Sequence, residues 1–487
     1  MASNVHFLMI PLMCPGHLIP MMNMAKLIAK HSATVTIVIT PRNAARFGGF
    51  LHRAVASGLS IRILQLQFPA TGYGLPEGCE NLDDLPTLKL TKNFFDASAK
   101  LQEPLEEVFE ELNPRPSCII SDKSLSWTAD VARKFEIPWV IFDGMSCFTR
   151  LATHNLLDSK IHEQVGDFDP FLLPGLPDKI TMTRSQLPGM FNPGKGAHEK
   201  GINIIREKIR SAELGAYGIV INSFEEMEKR YVDEYRKVKG KVWCIGPFSQ
   251  ANKNDIDKVS MVNNHECITW LDCQKPGSVV YACFGSLTRL TPPQFIELAL
   301  GLEKSKFPFI LVEKGGSRTE EIEKWLLEDG FEERVKGRGV LIHGWAPQVL
   351  ILSHPSLGAF LTHCGWNSTI EGICVGVPMI TWPQFSEQFF NERLAVEVVR
   401  TGVGVGAKSV RYLGEEDAAG IQVKREDVCK AVKVVMDEGI EGKERREKAQ
   451  YFREMAEKAL EEGGTSWLNL KLFIEDIMLH TNKDMAG

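Results

Sequence analysis

The residues from Trp345 to Gln388 carry the clearest chemical pattern in this sequence. Leu357–Leu361 is a short apolar run of the kind that a buried strand needs, and a His-Cys-Gly turn follows it. Asn367 and Ser368 then favour the start of a helix. A strand that leads through a small-residue turn into a helix N-terminus presents unpaired backbone N–H groups, which bind anions such as phosphate.

Four side chains in the same segment suit a nucleotide sugar. His363 follows the predicted strand and would donate a hydrogen bond to a phosphate oxygen. Trp345 and Trp366 offer flat faces on which a base or a sugar can stack. Glu371 supplies a carboxylate that accepts hydrogen bonds from hydroxyl groups. Together these residues predict a pocket for a nucleotide sugar.

A second pair of residues, far from this segment in the sequence, could activate a hydroxyl group. An alcohol becomes a good nucleophile when a base removes its proton, and histidine is suited to that task near neutral pH. His17 comes just after the first apolar run, on a turn made by Pro15 and Gly16, and Asp122 ends the run CIISD. An aspartate behind a histidine fixes the tautomer and stabilises the imidazolium.

Short apolar runs alternate with helical patterns along the chain, which is typical of α/β units around parallel sheets. The predicted strands of the first half are Val5–Met13, Thr34–Thr40, Ser60–Phe68, Cys118–Ser121, Trp139–Phe142 and Gly218–Asn222. Those of the second half are Val279–Phe284, Phe309–Val312, Val340–His343, Gly358–Thr362 and Met379–Trp382. The pattern predicts an α/β fold with two doubly wound halves.

The ends of the two halves are marked by changes in composition. The stretch 250–264 is polar and without periodicity, which predicts a linker. After Glu441 the pattern predicts a long charged helix, a stop at Gly463-Gly464, and a final amphipathic helix near Trp467–Leu479. A Pro- and Gly-rich segment between Pro170 and Gly194 predicts long loops that border an acceptor pocket.

The segment from Trp345 to Gln388, WAPQVLILSHPSLGAFLTHCGWNSTIEGICVGVPMITWPQFSEQ, resembles the donor-binding signature of plant UDP-dependent glycosyltransferases of family 1. Weaker matches extend the resemblance over most of the chain, in PGHLIPMMNMAKL, CIISD, INSFEEME, IGPF, WLDCQKPGSVVYACFGSL and EGGTSWLNL. The resemblance implies the GT-B fold, in which two Rossmann-like domains face each other across a cleft. The implied domains are 1–249 for the acceptor, 250–264 as linker, 265–462 for the UDP-sugar, and 463–487 as a helix returning to the first domain.

The resemblance also implies roles for individual residues. His17 and Asp122 match the catalytic dyad of the family. In the donor site, the resemblance places Trp345 on the uracil, Glu371 on the ribose hydroxyls, and Gln388 beside the hexose. The full set of implied donor-binding residues is Ser286, Trp345, Ala346, Gln348, His363, Trp366, Asn367, Ser368, Glu371, Glu387 and Gln388.

Several positions depart from the family pattern and predict where acceptor specificity lies. Asp143 stands where a histidine is more usual, Pro15 where a glutamine is common, and Gln384 and Ser386 replace apolar or small residues. The predicted residues of the acceptor pocket are Pro15, Asp143, Met145, Phe148, Met190, Phe191 and Phe385.

Together with these residues, the resemblance implies an inverting transferase that moves glucose from UDP-glucose to a hydroxyl of a hydrophobic secondary metabolite. The acceptor is expected to be a triterpenoid or steroid, or a flavonoid, as aglycone or glycoside. Trp366 and Gln388 are the residues that the family associates with UDP-glucose. UDP-xylose or UDP-galactose as donor, a nucleotide-sugar binding protein without turnover, and a nicotinamide dehydrogenase remain as alternatives. The single Gly after the first strand speaks against NAD.

Composition narrows the class of protein further. The net charge of −6 and the lack of a dense basic tract argue against nucleic-acid binding. The 11 scattered cysteines, without CxxC spacing, fit reduced thiols in the cytoplasm rather than a disulfide framework or a zinc site. No metal is expected, because the two DxD sequences at 167–169 and 255–257 follow no predicted strand. We also expect a monomer with no signal peptide and no membrane-spanning helix.

Overall fold

The structure is a computed structural model that describes residues 5–192, 197–251, 265–314, 319–412 and 420–486. Its strands, in chain order, are β1 His6–Ile10, β2 Thr34–Ile39, β3 Ile61–Gln65, β4 Cys118–Asp122, β5 Trp139–Asp143, β6 Phe171–Leu172, β7 Thr181–Met182, β8 Gly218–Ile221, β9 Val242–Cys244, β10 Val279–Cys283, β11 Phe309–Glu313, β12 Gly339–His343, β13 Leu357–Thr362, β14 Met379–Thr381 and β15 Gly402–Gly404.

The helices, in chain order, are α1 Pro15–Lys30, α2 Pro41–Ala56, α3 Thr91–Ala99, α4 Gln102–Phe109, α5 Thr128–Lys134, α6 Cys147–Ser159, α7 Ala197–Glu213, α8 Glu225–Lys239, α9 Phe248–Ala251, α10 His265–Asp272, α11 Pro292–Ser305, α12 Thr319–Asp329, α13 Phe331–Val335, α14 Gln348–Leu352, α15 Trp366–Val375, α16 Gln388–Arg393, α17 Arg425–Val435, α18 Ile440–Leu460 and α19 Thr465–Ala486. A π-helical turn, Leu394–Val398, continues α16. In the described ranges, no helix is long and apolar enough to cross a membrane.

The chain divides into two compact units. The first contains residues 1–147, 194–252 and 458–487, and the second contains residues 148–193 and 253–457. The predicted acceptor domain included 148–193, whereas these residues pack with the second unit. The predicted linker at 250–264 falls almost entirely outside the described residues. The predicted domain boundaries therefore stay a prediction.

The first unit is built on a seven-stranded parallel sheet in the order β3-β2-β1-β4-β5-β8-β9. Its central strands β1 and β4 are fully buried, as parallel strands covered on both faces must be. The C-terminal helix α19 belongs to this unit, and its Phe473 ring packs against Phe7 of β1 and Trp243 of β9 at centroid distances of 5.4 and 5.0 Å. The last helix thus helps to cover the first sheet.

The second unit is built on a six-stranded parallel sheet in the order β12-β11-β10-β13-β14-β15. Strands β10 and β13 lie at its centre, and Tyr281 and Phe360 stack there across the two strands at 5.3 Å. A small antiparallel hairpin of β6 and β7 also belongs to this unit. Parallel strands all end at the same edge, so the residues after β10, β12, β13 and β14 share one edge of the sheet.

The prediction of two doubly wound α/β halves is confirmed, and each of the eleven predicted strands is present with ends shifted by a few residues. The sequence reading missed β9, β15 and the β6–β7 hairpin, which are only two or three residues long. One local prediction was wrong: His17 does not lie on a turn before α1 but within its first turn. Pro15 begins that helix because its fixed φ suits the first helical position.

Candidate functional site

In the first unit, the structure brings His17 and Asp122 together. His17 lies in the first turn of α1, which follows β1, and Asp122 is the last residue of β4, the neighbouring strand. His17 Nδ1 is 2.5 Å from Asp122 Oδ2. The histidine side chain is 34% exposed and the aspartate 2%, so a substrate can reach the ring but not the carboxylate. Because Nδ1 serves the carboxylate, Nε2 is the ring nitrogen that can act on a substrate.

The carboxylate of Asp122 is held ionised by its neighbours. Its other oxygen, Oδ1, accepts a hydrogen bond from the Ser124 backbone N–H at 2.9 Å. Burial alone would raise the pKa of Asp122, but the His17 ring and the Ser124 hydrogen bonds outweigh it and lower the pKa below its usual value. An anionic Asp122 stabilises a positive charge on His17 when the ring takes up a proton.

A partly buried ion pair lies next to this dyad, at the ends of β4 and β5. Lys123 Nζ is 3.3 Å from the carboxylate of Asp143 and 3.3 Å from Met145 Sδ. The sequence reading singled out Asp143 and Met145 but missed Lys123. Because Asp143 is fully buried, it holds Lys123 in place, and only the lysine of this pair is partly accessible.

In the second unit, the predicted donor-binding residues follow the ends of four strands of one sheet. Ser286 follows β10, Trp345 and Gln348 follow β12, His363 follows β13, and Glu387 and Gln388 follow β14. Helix α15 begins at Trp366 with Gly365 as its N-cap, so Asn367 and Ser368 lie in its first turn as the sequence predicts. The first N–H groups of a helix have no partner within the helix itself, and such a helix start favours an anion.

The ring of His363 is enclosed by backbone. An added Cβ on Gly285 would lie 2.5 Å from His363 Cε1, and one on Gly365 would lie 2.4 Å from His363 Nε2. Gly285 also has a φ of +70°, which favours glycine for a second reason. Burial lowers the pKa of His363 to about 4, so the ring is neutral at physiological pH. In the described residues its Nδ1 has no hydrogen-bond partner.

Gln348 and Glu371 form a second cluster in this unit. Gln348 Nε2 donates to Glu371 Oε2 at 2.8 Å and to Ser368 Oγ at 3.2 Å. Protein surrounds the carboxylate of Glu371 on most sides although part of the residue is accessible, and this desolvation raises its pKa to about 7. Trp345 lies 60% exposed and offers a face to a ligand. The cluster can therefore accept hydrogen bonds from ligand hydroxyls.

The residues after β14 form a tight loop that is only partly buried. Gln388 Oε1 accepts the backbone N–H groups of Gln384 and Phe385 at 2.8 and 3.1 Å, which leaves the amide nitrogen of Gln388 as its donor. Asn391, which the sequence reading missed, is fully buried and donates to Glu387 Oε1 at 3.4 Å. Its only signal in the sequence was an amide one turn after Gln388, directly after two phenylalanines.

The predicted acceptor residues are distributed over both units. Pro15, Asp143 and Met145 belong to the first unit, and the four others belong to the second. Phe148 is fully buried, Phe191 packs against the ring of His162 at 5.0 Å, and Met190 is exposed. These positions do not test the predicted pocket, so it stays a prediction.

The first DxD sequence, 167–169, belongs to no group of metal ligands in the described residues. Asp167 lies 3.8 Å from Arg184 Nε, and Asp169 accepts the Gly166 backbone N–H; the second DxD, 255–257, lies outside those ranges. Across the described ranges, no group of three or more His, Cys, Asp or Glu residues could hold a metal ion.

Comparison with known proteins gives one consistent result. The profile of the family "UDP-glucoronosyl and UDP-glucosyl transferase" matches residues 258–439. UDP-glycosyltransferase 73C3 of Arabidopsis thaliana is 46% identical, over 98% of this chain and 96% of the relative. UDP-glycosyltransferase 73E1 of Stevia rebaudiana is 47% identical, over 98% and 97%. The crystal structure of Glycyrrhiza uralensis UGT73P12 with glycyrrhetinic acid 3-O-monoglucuronide matches with a TM-score of 0.90 and 35% identity, over 99% and 98%.

Proposed function

The chain belongs to the plant UDP-dependent glycosyltransferases, with the GT-B fold, and from this premise we propose that it transfers glucose from UDP-glucose, with inversion, to a hydroxyl of a hydrophobic secondary metabolite. A UDP-sugar is the donor in this family. The observation that carries the proposal is the 2.5 Å contact between His17 Nδ1 and Asp122 Oδ2 in the first unit. It is the arrangement that a general base for a hydroxyl requires.

In the proposed reaction, His17 Nε2 takes the proton of the acceptor hydroxyl. The hydroxyl oxygen forms a bond to the anomeric carbon of the sugar while the bond from that carbon to the diphosphate oxygen breaks. UDP leaves with the electron pair, and a single displacement from the opposite face inverts the anomeric centre. Asp122 stabilises the imidazolium, since its lowered pKa keeps it anionic throughout.

The leaving diphosphate gains negative charge that must be balanced in the transition state. The start of α15 supports this role, because Asn367 and Ser368 lie in its first turn and the helix dipole favours an anion there. His363 and Ser286 complete the proposed diphosphate site. His363 is neutral, so it acts as a hydrogen-bond donor rather than as a cation.

The proposed contacts with the rest of the donor follow from the remaining predicted residues. Trp345 stacks on the uracil, Ala346 and Gln348 lie at the base and ribose, and Glu371 accepts the ribose hydroxyls. Trp366, Glu387 and Gln388 bind the hexose. The hydrogen-bond pattern of Gln388 supports this, because its oxygen is occupied by backbone N–H groups and its amide nitrogen can donate to a sugar hydroxyl.

The proposed acceptor is a triterpenoid or steroid alcohol or a flavonoid, as the aglycone or already carrying a sugar. The likeness to UGT73P12 supports a glycoside, because the ligand in that structure is a 3-O-monoglucuronide. Pro15, Asp143, Met145, Phe148, Met190, Phe191 and Phe385 are the proposed acceptor residues. We also propose a cytoplasmic monomer, with support for the location from eleven free cysteines, all buried except Cys273.

Mass-spectrometric product detection tests the proposal. The purified protein is incubated with UDP-glucose and a panel of flavonoid, triterpenoid and steroid alcohols and their monoglycosides, with EDTA and no added metal. A hexose mass gain on a panel member is the expected result. A product formed only when UDP-xylose or UDP-galactose is supplied would mean that the donor is not UDP-glucose. UDP binding without any product would favour a binding protein. Absence of UDP binding would overturn the proposed function.

A further inference from the structure

We infer that Asn391 is a positioning residue for the donor diphosphate, because its side chain sets the orientation of the Cys364–Gly365 peptide at the start of α15. Asn391 lies in α16, one turn after the hexose-side residue Gln388, and is fully buried. The inference rests on the proposed function, since it assigns a further residue to the same donor site.

The amide of Asn391 is held in one orientation by three contacts within the second unit. Its Nδ2 donates to the backbone oxygen of Cys364 at 2.9 Å and to Glu387 Oε1 at 3.4 Å. Its Oδ1 accepts the hydroxyl of Thr149 at 3.1 Å. If the amide were turned over, its oxygen would face the two acceptor oxygens of Cys364 and Glu387, which is unfavourable. The amide therefore has one preferred orientation.

The contact with Cys364 falls on the most unusual residue of the turn. Cys364 has a φ of +64°, a left-handed conformation that is unfavourable for a residue with a side chain. Such a conformation persists where the surroundings fix it. The backbone N–H of Cys364 donates to Thr362 Oγ1 at 3.3 Å, so its peptide groups are held on both sides, by Thr362 and by Asn391.

Peptide geometry then determines where the next N–H points. In a planar trans peptide, the C=O and the N–H point in opposite directions. The Cys364 oxygen points at Asn391, and therefore the Gly365 N–H points away from it. Gly365 is the N-cap of α15, where the diphosphate is proposed to bind, and the same glycine packs on the His363 ring. Asn391 thus fixes a peptide that serves two parts of the diphosphate site.

The test compares UDP with uridine, which share base and ribose and differ only in the diphosphate. Asn391→Ala is expected to weaken UDP binding about tenfold, the effect of losing one well-placed hydrogen bond, while uridine binding stays unchanged. Asn391→Leu has a similar volume without the hydrogen bonds, so it keeps the packing if the alanine variant unfolds. The same selective loss is expected for it. Both dissociation constants are measured by calorimetry on variants whose melting temperatures are recorded.

Thr149→Val is the matched control, because it removes the hydroxyl on Asn391 Oδ1 and leaves the bond to Cys364 in place. It is expected to weaken UDP binding less than either Asn391 variant does, because Nδ2 still faces the Cys364 oxygen and Glu387, and to leave uridine binding unchanged. Equal weakening of UDP and uridine in both Asn391 variants would overturn the inference, as would unchanged UDP binding. A wild-type protein that binds no UDP would overturn the proposed function instead, so the two failures are distinguishable.

Discussion

His17 and His363 each follow a strand of a parallel sheet, yet the two units give them opposite surroundings. His17 is partly exposed and its Nδ1 lies 2.5 Å from the carboxylate of Asp122. His363 is buried between Gly285 and Gly365, and in the described residues its Nδ1 has no partner. The first ring has an anion beside it that favours a second proton, and the second ring is desolvated by burial.

These opposite surroundings suit the same type of side chain to two different tasks in a transfer reaction. A carboxylate beside an imidazole favours its charged form, and burial without a charge partner disfavours it. Burial accordingly lowers the pKa of His363 to about 4, so this ring stays neutral and offers a hydrogen bond. His17 suits the proton transfer, and His363 suits an anionic ligand that brings its own charge.

The largest expected effect comes from removing the base. His17→Ala is expected to reduce kcat by about 10²–10⁴-fold, because the acceptor hydroxyl then loses its general base. The dissociation constant of UDP should stay unchanged, since the proposed donor residues all lie in the second unit. Steady-state kinetics and calorimetry on the same preparation measure both quantities.

A matched control for that variant is His52→Ala, which alters an exposed histidine of the same unit and should leave kcat unchanged. Near-full kcat in His17→Ala, for every acceptor that the wild-type protein uses, would remove His17 from the reaction. The comparison between the two histidines would then fail on its catalytic side.

UDP binding in the second unit is expected to depend on the space around His363. Gly365→Ala would place a methyl group 2.4 Å from His363 Nε2, and the ring cannot retreat because Gly285 lies against it. The turn must therefore move, and we expect UDP affinity to fall about 10- to 100-fold, as for two or so lost hydrogen bonds. Calorimetric titration with UDP measures this.

Gly72→Ala controls for a general effect of adding a methyl group, since nothing lies within 4 Å of that position. It should bind UDP like the wild-type protein. If Gly365→Ala also retains wild-type affinity, the enclosure of His363 has no part in donor binding.

How far the sequence predicts this site depends on the kind of interaction. His17, Asp122, His363 and the start of α15 were predictable, because strand ends and helix starts have local signals and parallel strands bring their ends to one edge. The same logic fixed both sheets. The short edge strand β15 escaped, because three residues with two glycines look like a loop and form a strand only through pairing with β14.

Contacts between segments that are distant in the chain could not be predicted from the sequence. Thr149 and Asn391 are 242 positions apart, and no sequence pattern near either residue predicts the hydrogen bond between them. Lys123 was also missed, since its role depends on Asp143 at the end of the next strand. Burial is equally hard to predict from the sequence. Glu371 looks like an ordinary helix carboxylate there, but in the folded protein desolvation raises its pKa to about 7.

That raised pKa gives a prediction of intermediate size. Above its pKa Glu371 is ionised and can accept hydrogen bonds from its proposed partners, the ribose hydroxyls, whereas below that pKa the carboxyl group holds a proton and accepts less well. Donor affinity should therefore rise with pH, by about tenfold between about pH 6 and about pH 8. UDP-glucose is the probe, because both of its phosphates are esterified and do not titrate in this range.

Glu371→Gln separates this group from a second one. Glu392 is also buried with a pKa of about 7, and it accepts a hydrogen bond from Thr381. The Gln variant removes only the titration of Glu371, so its UDP-glucose affinity should no longer depend on pH in this range. A slope that survives in the variant would assign the pH dependence to another group.

The smallest expected effect concerns the hexose end of the donor site. Gln388→Glu keeps an oxygen for the N–H groups of Gln384 and Phe385 but replaces the amide donor with a second acceptor. The preference for UDP-glucose over UDP should therefore fall about fivefold, the effect of one neutral hydrogen bond, while UDP affinity itself stays unchanged. The ratio of the two dissociation constants measures it. An unchanged ratio would mean that Gln388 shapes the loop without contacting the sugar. The role of this loop in donor binding would then not extend to the hexose, and the comparison of the two units would concern only the diphosphate and the nucleoside.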